Sequence, residues 1–295
     1  MDFDPSVLVG QFLSGLCRGM VLFVMASGLT LVFGVMRVIN FAHGSFYMLA
    51  AYLAFSLTQV LQATGWGFWV ALVVVPLATA AVGGFVEVVL LRRIYAKEHL
   101  LQILLTYALI FVFNDTIKLL WGAEMRIVSL PTQLAGSVSL LGQSFPVYYV
   151  FIIAAGLAVA VGLWLLLHVT RLGKLMRASS ERWEIVELLG YNVSAVFTVV
   201  FMIATGLAGL AGVVISPTIR LALGMDILII IECFLVVIIG GLGNVWGALL
   251  AALITGQLYA FGILVLEKYA MAFLFILAGG IIIFRPSGLL GKTVR

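Results

Sequence analysis

Apolar runs broken by short polar connectors occupy nearly the whole chain. They fall at positions 7–36, 45–62, 68–91, 100–121, 147–168, 193–216, 227–239, 245–262 and 269–284. Most approach the ~20 residues that carry a helix across ~30 Å of hydrocarbon. A transmembrane β-strand would alternate in polarity, whereas Val70–Val75 is apolar at every position. The pattern predicts an all-α polytopic membrane protein of about nine crossings, a single transmembrane domain over 1–295. The run at 227–239 is too short to span alone, so it either crosses with help from its neighbours or re-enters.

Composition points the same way, with 64% hydrophobic and 9% charged residues, against about 25% charged in a soluble domain. The net charge of +4 comes without a basic, aromatic-interleaved patch, which argues against a nucleic-acid partner. Charge position is more informative. Alternating the runs places Arg37, Arg92, Arg93, Lys97, Arg171, Lys174, Arg177, Arg182, Arg285, Lys292 and Arg295 on one side. Only Arg18, Lys118, Arg126, Arg220 and Lys268 fall on the other, Arg18 being placed to snorkel from near the end of its run. Basic residues concentrate on the cytoplasmic face, so the N-terminus is expected outside and the C-terminus inside. Asp2 and Asp4 leave no basic region for a cleavable signal. Cys17 and Cys233 sit in apolar runs without metal-ligand spacing and read as small buried hydrophobes.

Two polar interruptions resemble each other. Val38-Ile39-Asn40-Phe41-Ala42-His43-Gly44 leads into a helix with Ala50 and Ala51, and Gly240-Gly241-Leu242-Gly243-Asn244-Val245-Trp246-Gly247 into one with Ala248, Ala251 and Ala252. Discontinuous or re-entrant helices near 38–44 and 240–247 would mark a transporter's substrate path; two tight turns at the membrane surface would give the same pattern. Asn40, His43, Gly44, Gly243 and Asn244 are the path candidates, with Glu232 as the deepest ionisable group. Glu232 serves either the path or a buried structural hydrogen bond. Glu87 is close enough to Arg92 to cap a helix end, and Asp115 lies three residues before Lys118, a spacing suited to a local ion pair.

Gly288-Leu289-Leu290-Gly291-Lys292-Thr293 imitates the end of a phosphate loop, but Pro286 stands where its first glycine is required, no strand precedes it and only two residues follow. The chain is therefore expected to carry no ATPase, and His43, His168 and the scattered carboxylates form no catalytic constellation. An ion-coupled secondary transporter, driven through Glu232 or Asp115, is the competing transport reading.

Several ordered segments resemble the permeases of branched-chain amino-acid ABC importers, the shorter Liv H-type subunit. They are 28–44, beginning Gly28-Leu29-Thr30-Leu31; Arg177-Ala178; Leu188-Leu189-Gly190-Tyr191-Asn192-Val193; 206–212; 240–248; and Phe284-Arg285-Pro286-Ser287-Gly288-Leu289. The resemblance implies an importer in the bacterial-type cytoplasmic (inner) membrane. It would have a second permease subunit, two cytoplasmic ATPases that bind the ATP, and an extracytoplasmic solute-binding protein; no cofactor is implied on this chain. It also implies that the connector 169–192 couples to an ATPase through Arg177, Trp183, Glu184, Val186, Leu189 and Gly190. Without the resemblance the same connector reads as an interfacial linker held by anionic lipid. The family often has alanine where Val186 stands and an acidic residue where Arg182 stands. It also includes permeases for urea, short amides or aromatic acids, leaving the solute open.

Overall fold

The computed structural model describes residues 5–95, 97–140 and 143–291; Asp2, Asp4, Lys292, Thr293 and Arg295 lie outside the described residues. The expected helices form: α1 (Pro5–Met36), α2 (His43–Val60), α3 (Gly67–Val89), α4 (His99–Trp121), α5 (Val147–Val169), α6 (Arg171–Leu188), α7 (Val193–Ile215), α8 (Met225–Gly240), α9 (Val245–Leu266) and α10 (Ala270–Phe284). Short extended segments pair Ser137–Leu140 with Gln143–Pro146 and Arg126–Ile127 with Arg220–Leu221. Six stretches are long and apolar enough to cross a membrane, the longest, Val245–Phe284, containing both α9 and α10. Helices α2 and α8, of 18 and 16 residues, fall outside that set. Together with them, the described helices other than α6 form an all-α bundle.

Helix α1 is the axis of the bundle, packed against α5, α7, α8 and α9. Lipid tails are as apolar as leucine, so helices gain by close approach rather than by escaping solvent. Small residues provide that approach. A Cβ added to Gly19 of α1 would come 2.9 Å from the Ala252 carbonyl oxygen of α9. Between α3 and α7, Gly83 lies against Thr205 and Gly209 against Thr79. Outward faces of α3, α4, α5 and α10 keep residues such as Leu77, Leu104, Val161 and Ile283 exposed, as contact with lipid requires.

One end of the bundle gathers the basic connectors. There Arg37 reaches the Ser180 carbonyl of α6, and Glu87, fully buried, ties α3 to the foot of α7. Its carboxylate accepts from Arg92 (3.1 Å), the Tyr95 hydroxyl (2.7 Å) and the Thr198 hydroxyl (2.8 Å). Burial, then the Glu87 carboxylate, pushes the Tyr95 hydroxyl well above its ordinary titration range, so it remains a donor. The expected Glu87–Arg92 cap is thus present and larger than the sequence suggested. The expected Asp115–Lys118 pair is not formed: both side chains are exposed. Exposed pairs gain little over the entropy of holding two long side chains together.

Candidate translocation path and coupling surface

Of the two interruptions, the first lies inside the bundle. Arg37 turns the chain at the end of α1 with φ of +56°, and residues 37–42 run back before α2 begins. The His43 Nε2 lies 3.1 Å from the Met25 carbonyl oxygen. Met25 precedes the end of α1 by about 16 Å of helix axis, so α2 starts deep in the bundle. Asn40 is 0% exposed and neither of its amide atoms has a partner; His43 Nδ1 has none either. Gly44 is needed here, because a Cβ would collide with the Asp226 backbone carbonyl of α8.

Asp226 was not singled out in the sequence, where it ends the loop Pro217–Asp226. It is 1% exposed, and its Oδ2 accepts from Ser45 Oγ (2.8 Å) and Asn114 Nδ2 (2.9 Å), while Oδ1 has no partner. The one local signal was an acidic residue in the first turn of an apolar run, the position that complements a helix dipole. Asn114 turns inward for this bond, leaving Asp115 on the outer face of α4. The N-termini of α2 and α8 therefore meet inside the bundle, and each presents positive dipole and free backbone amides.

The second interruption is a tight turn at the basic end. Gly241 and Gly243 take φ of +101° and +79°, conformations that carry little penalty only for glycine. Asn244 caps α9, its Oδ1 accepting from the Trp246 and Gly247 amides at 3.0 Å, and it donates to the Leu290 carbonyl at 2.6 Å. The Leu289 amide donates to the Ile239 carbonyl (2.8 Å), so the C-terminal segment straps the α8–α9 turn. Gly243 abuts Gly34 of α1. Of the two readings of this segment, the geometry fits the turn, and Asn244 makes no bond to Asn40 or His43.

Glu232 is likewise separate from the Asn40–His43 break in its bonding. Both its oxygens accept from one Arg18 guanidinium nitrogen at 2.7 Å, and the guanidinium lies 3.6 Å from the Tyr259 ring centroid. Arg18 is held by a carboxylate and a ring face within the bundle, while a third of its side chain stays exposed. The cluster joins α1, α8 and α9.

The connector after α5 is α6, begun by a Thr170 cap on the Gly173 amide and bent at Arg182, whose φ and ψ are −149° and 88°. Arg177 donates to the Leu167 carbonyl. Trp183, Val186, Leu189 and Gly190, expected on one face, all follow the bend, and only Val186 among them turns inward. Val186 is buried, whereas Trp183 is 44% and Leu189 70% exposed, alongside Ile185, Leu188 and Tyr191. Glu184 is also exposed. Gly190 ends the segment with φ of +86° and open space around it, and Asn192 then caps α7 through the Ala195 amide. Exposed apolar residues on so polar a segment form a surface suited to a partner.

Among the described residues no three His, Cys, Asp or Glu side chains come together as metal ligands. No solved structure matches the chain. The branched-chain amino acid permease BraD of Pseudomonas aeruginosa is 29% identical over 96% of this chain and 95% of its own length. LivH of Escherichia coli is 27% identical over the same shares. A probable LivH of Methanocaldococcus jannaschii is 27% identical over 80% of this chain and 75% of its own. The family model described as the permease component of branched-chain amino acid transport systems matches residues 11–284. Matched over nearly its whole length, this chain belongs to that family of transport permeases.

Proposed function

We propose that this chain is one half of the membrane channel of a binding-protein-dependent ABC importer for branched-chain amino acids. The observation that carries the reading is the meeting of two helix N-termini at Asn40, His43 and Gly44 inside a chain matched along 11–284. Backbone ends and unpartnered polar groups persist at membrane depth only where protein or a water-filled path surrounds them. Asn40 and His43 line that path, and Gly44 leaves it room. Asn244 and Gly243 shape its basic end, where the α8–α9 turn and the strap move together. A second permease completes the channel, and one of two ATPases docks on α6 of this chain. This chain needs no cofactor, since ATP binds the partners. Uptake of leucine into proteoliposomes holding the complete complex and its binding protein should require ATP. ATP-independent uptake driven by a proton or sodium gradient would instead establish the secondary-transporter reading.

On this reading Arg177, Trp183, Glu184, Leu189 and Gly190 form the ATPase contact, with the buried Val186 supporting them from behind. Gly190 has no steric neighbour, so a change there acts through the backbone alone: a β-branched residue at positive φ costs on the order of 1–2 kcal/mol. Gly190→Val should leave insertion intact and lower uptake per ATP hydrolysed by about tenfold. Equal coupling in variant and parent, or cysteines at Glu184 and Gly190 that crosslink to no ATPase, would remove the docking assignment.

The basic end faces the cytoplasm in this scheme, with the N-terminus outside and the C-terminus inside. Single cysteines at Lys97, beside the basic cluster, and Gln133, in the segment preceding the β-hairpin, should react with an impermeant thiol reagent from opposite sides. Labelling from one side would overturn the orientation.

A further inference from the structure

The Arg18–Glu232–Tyr259 cluster is not explained by packing alone. Glu232 is enclosed, with only 7% of its side chain exposed, but the Arg18 side chain is 33% exposed. It lies about 20 Å along the axis from the start of α1. Charge facing acyl chains is disfavoured, so the exposed part of the Arg18 side chain faces water or protein. Its hydrogen bonding is also incomplete: one nitrogen serves both carboxylate oxygens, and the buried Nε–H has no acceptor. Guanidinium has five donors in a planar fork shaped for a second carboxylate. The Tyr259 ring face already holds a cation, the Arg18 guanidinium, and would be freed for another when that side chain exchanges partners.

We propose that Arg18 and Glu232 are the solute-contacting pair for a zwitterionic α-amino acid. The solute carboxylate takes the free guanidinium donors, and its ammonium is held by Glu232 and the Tyr259 ring. In the empty protein the two side chains neutralise each other; as solute passes, each exchanges that partner for the opposite charge on the solute. Both protein charges stay paired throughout, so neither side chain is left charged and alone in a low-dielectric interior, the costly alternative. The exchange requires both charges on the solute and favours neither a large nor a small side chain. That suits a channel whose solute has already been selected by a binding protein. The inference rests on the importer reading above and adds a recognition chemistry to it.

The test separates recognition from simple bundle stability. Complexes carrying Arg18→Gln, Glu232→Gln, the double neutral variant and the charge-exchanged pair (Arg18→Glu with Glu232→Arg) are reconstituted, and ATP-driven uptake is measured for leucine and for leucinamide, which lacks the carboxylate. Recovery of intact complex after purification reports assembly. A purely structural pair would be satisfied by the double neutral variant, whose side chains still hydrogen-bond. The proposal expects that variant to assemble as the parent does while leucine uptake falls by about 10- to 100-fold, the loss for a charged hydrogen bond. The parent should prefer leucine to leucinamide, and the preference should vanish in the double variant. Near-parental leucine uptake by the double neutral or charge-exchanged complex would overturn the proposal, as would equal uptake of both solutes by the parent. A parent complex with no ATP-driven uptake of either solute contradicts the importer reading itself, a result distinct from these.

Discussion

Replacing Gly247 with valine should prevent α8 and α9 from closing and leave little assembled protein in the membrane. The backbones of Gly240 and Gly247 touch, and even a Cβ on Gly247 would stand 2.7 Å from the Gly240 carbonyl carbon, with backbone rather than a movable side chain in the way. The turn has no slack to yield. Asn244 is bonded on both sides, Leu289 and Leu290 are hydrogen-bonded to the last turn of α8, and Gly243 is against Gly34. Overpacking in a well-filled core costs about 1–3 kcal/mol, more where backbone must move, and here the displacement would propagate into α1 and the C-terminal strap. The measurement is yield and melting temperature of the purified protein. Gly279→Val in α10, where an added Cβ meets nothing within 4 Å, is the control and should behave as the parent. A Gly247→Val protein as stable as that control would mean the α8–α9 contact is not as close as described.

Asn40→Leu should separate stability from transport. Ordinarily a buried polar residue is removed at the cost of its bonds, but both amide atoms of Asn40 lack a protein partner. Leaving such groups unpaired carries a penalty of about 1–3 kcal/mol, which leucine of similar volume avoids. The variant is therefore expected to melt at the parental temperature or above it. Uptake should fall by about tenfold or more, because the path loses the polar groups that would take over a solute's hydration. A variant that is destabilised and transports normally would reverse both halves of the argument. Stabilisation together with loss of uptake is the behaviour of a functional residue kept against folding preference.

The same contrast shows which parts of the molecule were legible beforehand. Helix positions, their approximate ends and the sidedness of charge followed from local properties: apolar run length, Pro and Gly punctuation, and the clustering of Arg and Lys in connectors. The break at 38–44 was legible as a break. Its twin at 240–247 was also visible, yet the two differ, because a turn and an interior break share the same residues and diverge only in what surrounds them. Asp226 was overlooked since its loop carries no motif, and it matters only because Ser45 and Asn114 reach it from 181 and 112 positions away. Within 183–190 only Val186 turns inward, and no periodicity announces the bend at Arg182 that precedes it.

Class, charge asymmetry and family resemblance were determined by the sequence itself, because in lipid the backbone must satisfy its hydrogen bonds within each segment, which makes helix formation a local matter. Depth and partnership were decided by the tertiary structure. Arg18 and Glu232 stand 214 residues apart and acquire their relation only when α1, α8 and α9 pack. The position of α2 likewise depends on His43 reaching the carbonyl of Met25, a contact set by helix packing through small residues. Hydropathy reports how each residue weighs lipid against water. It holds no record of which polar groups will meet inside, and those meetings are what make a bundle of spans into a path.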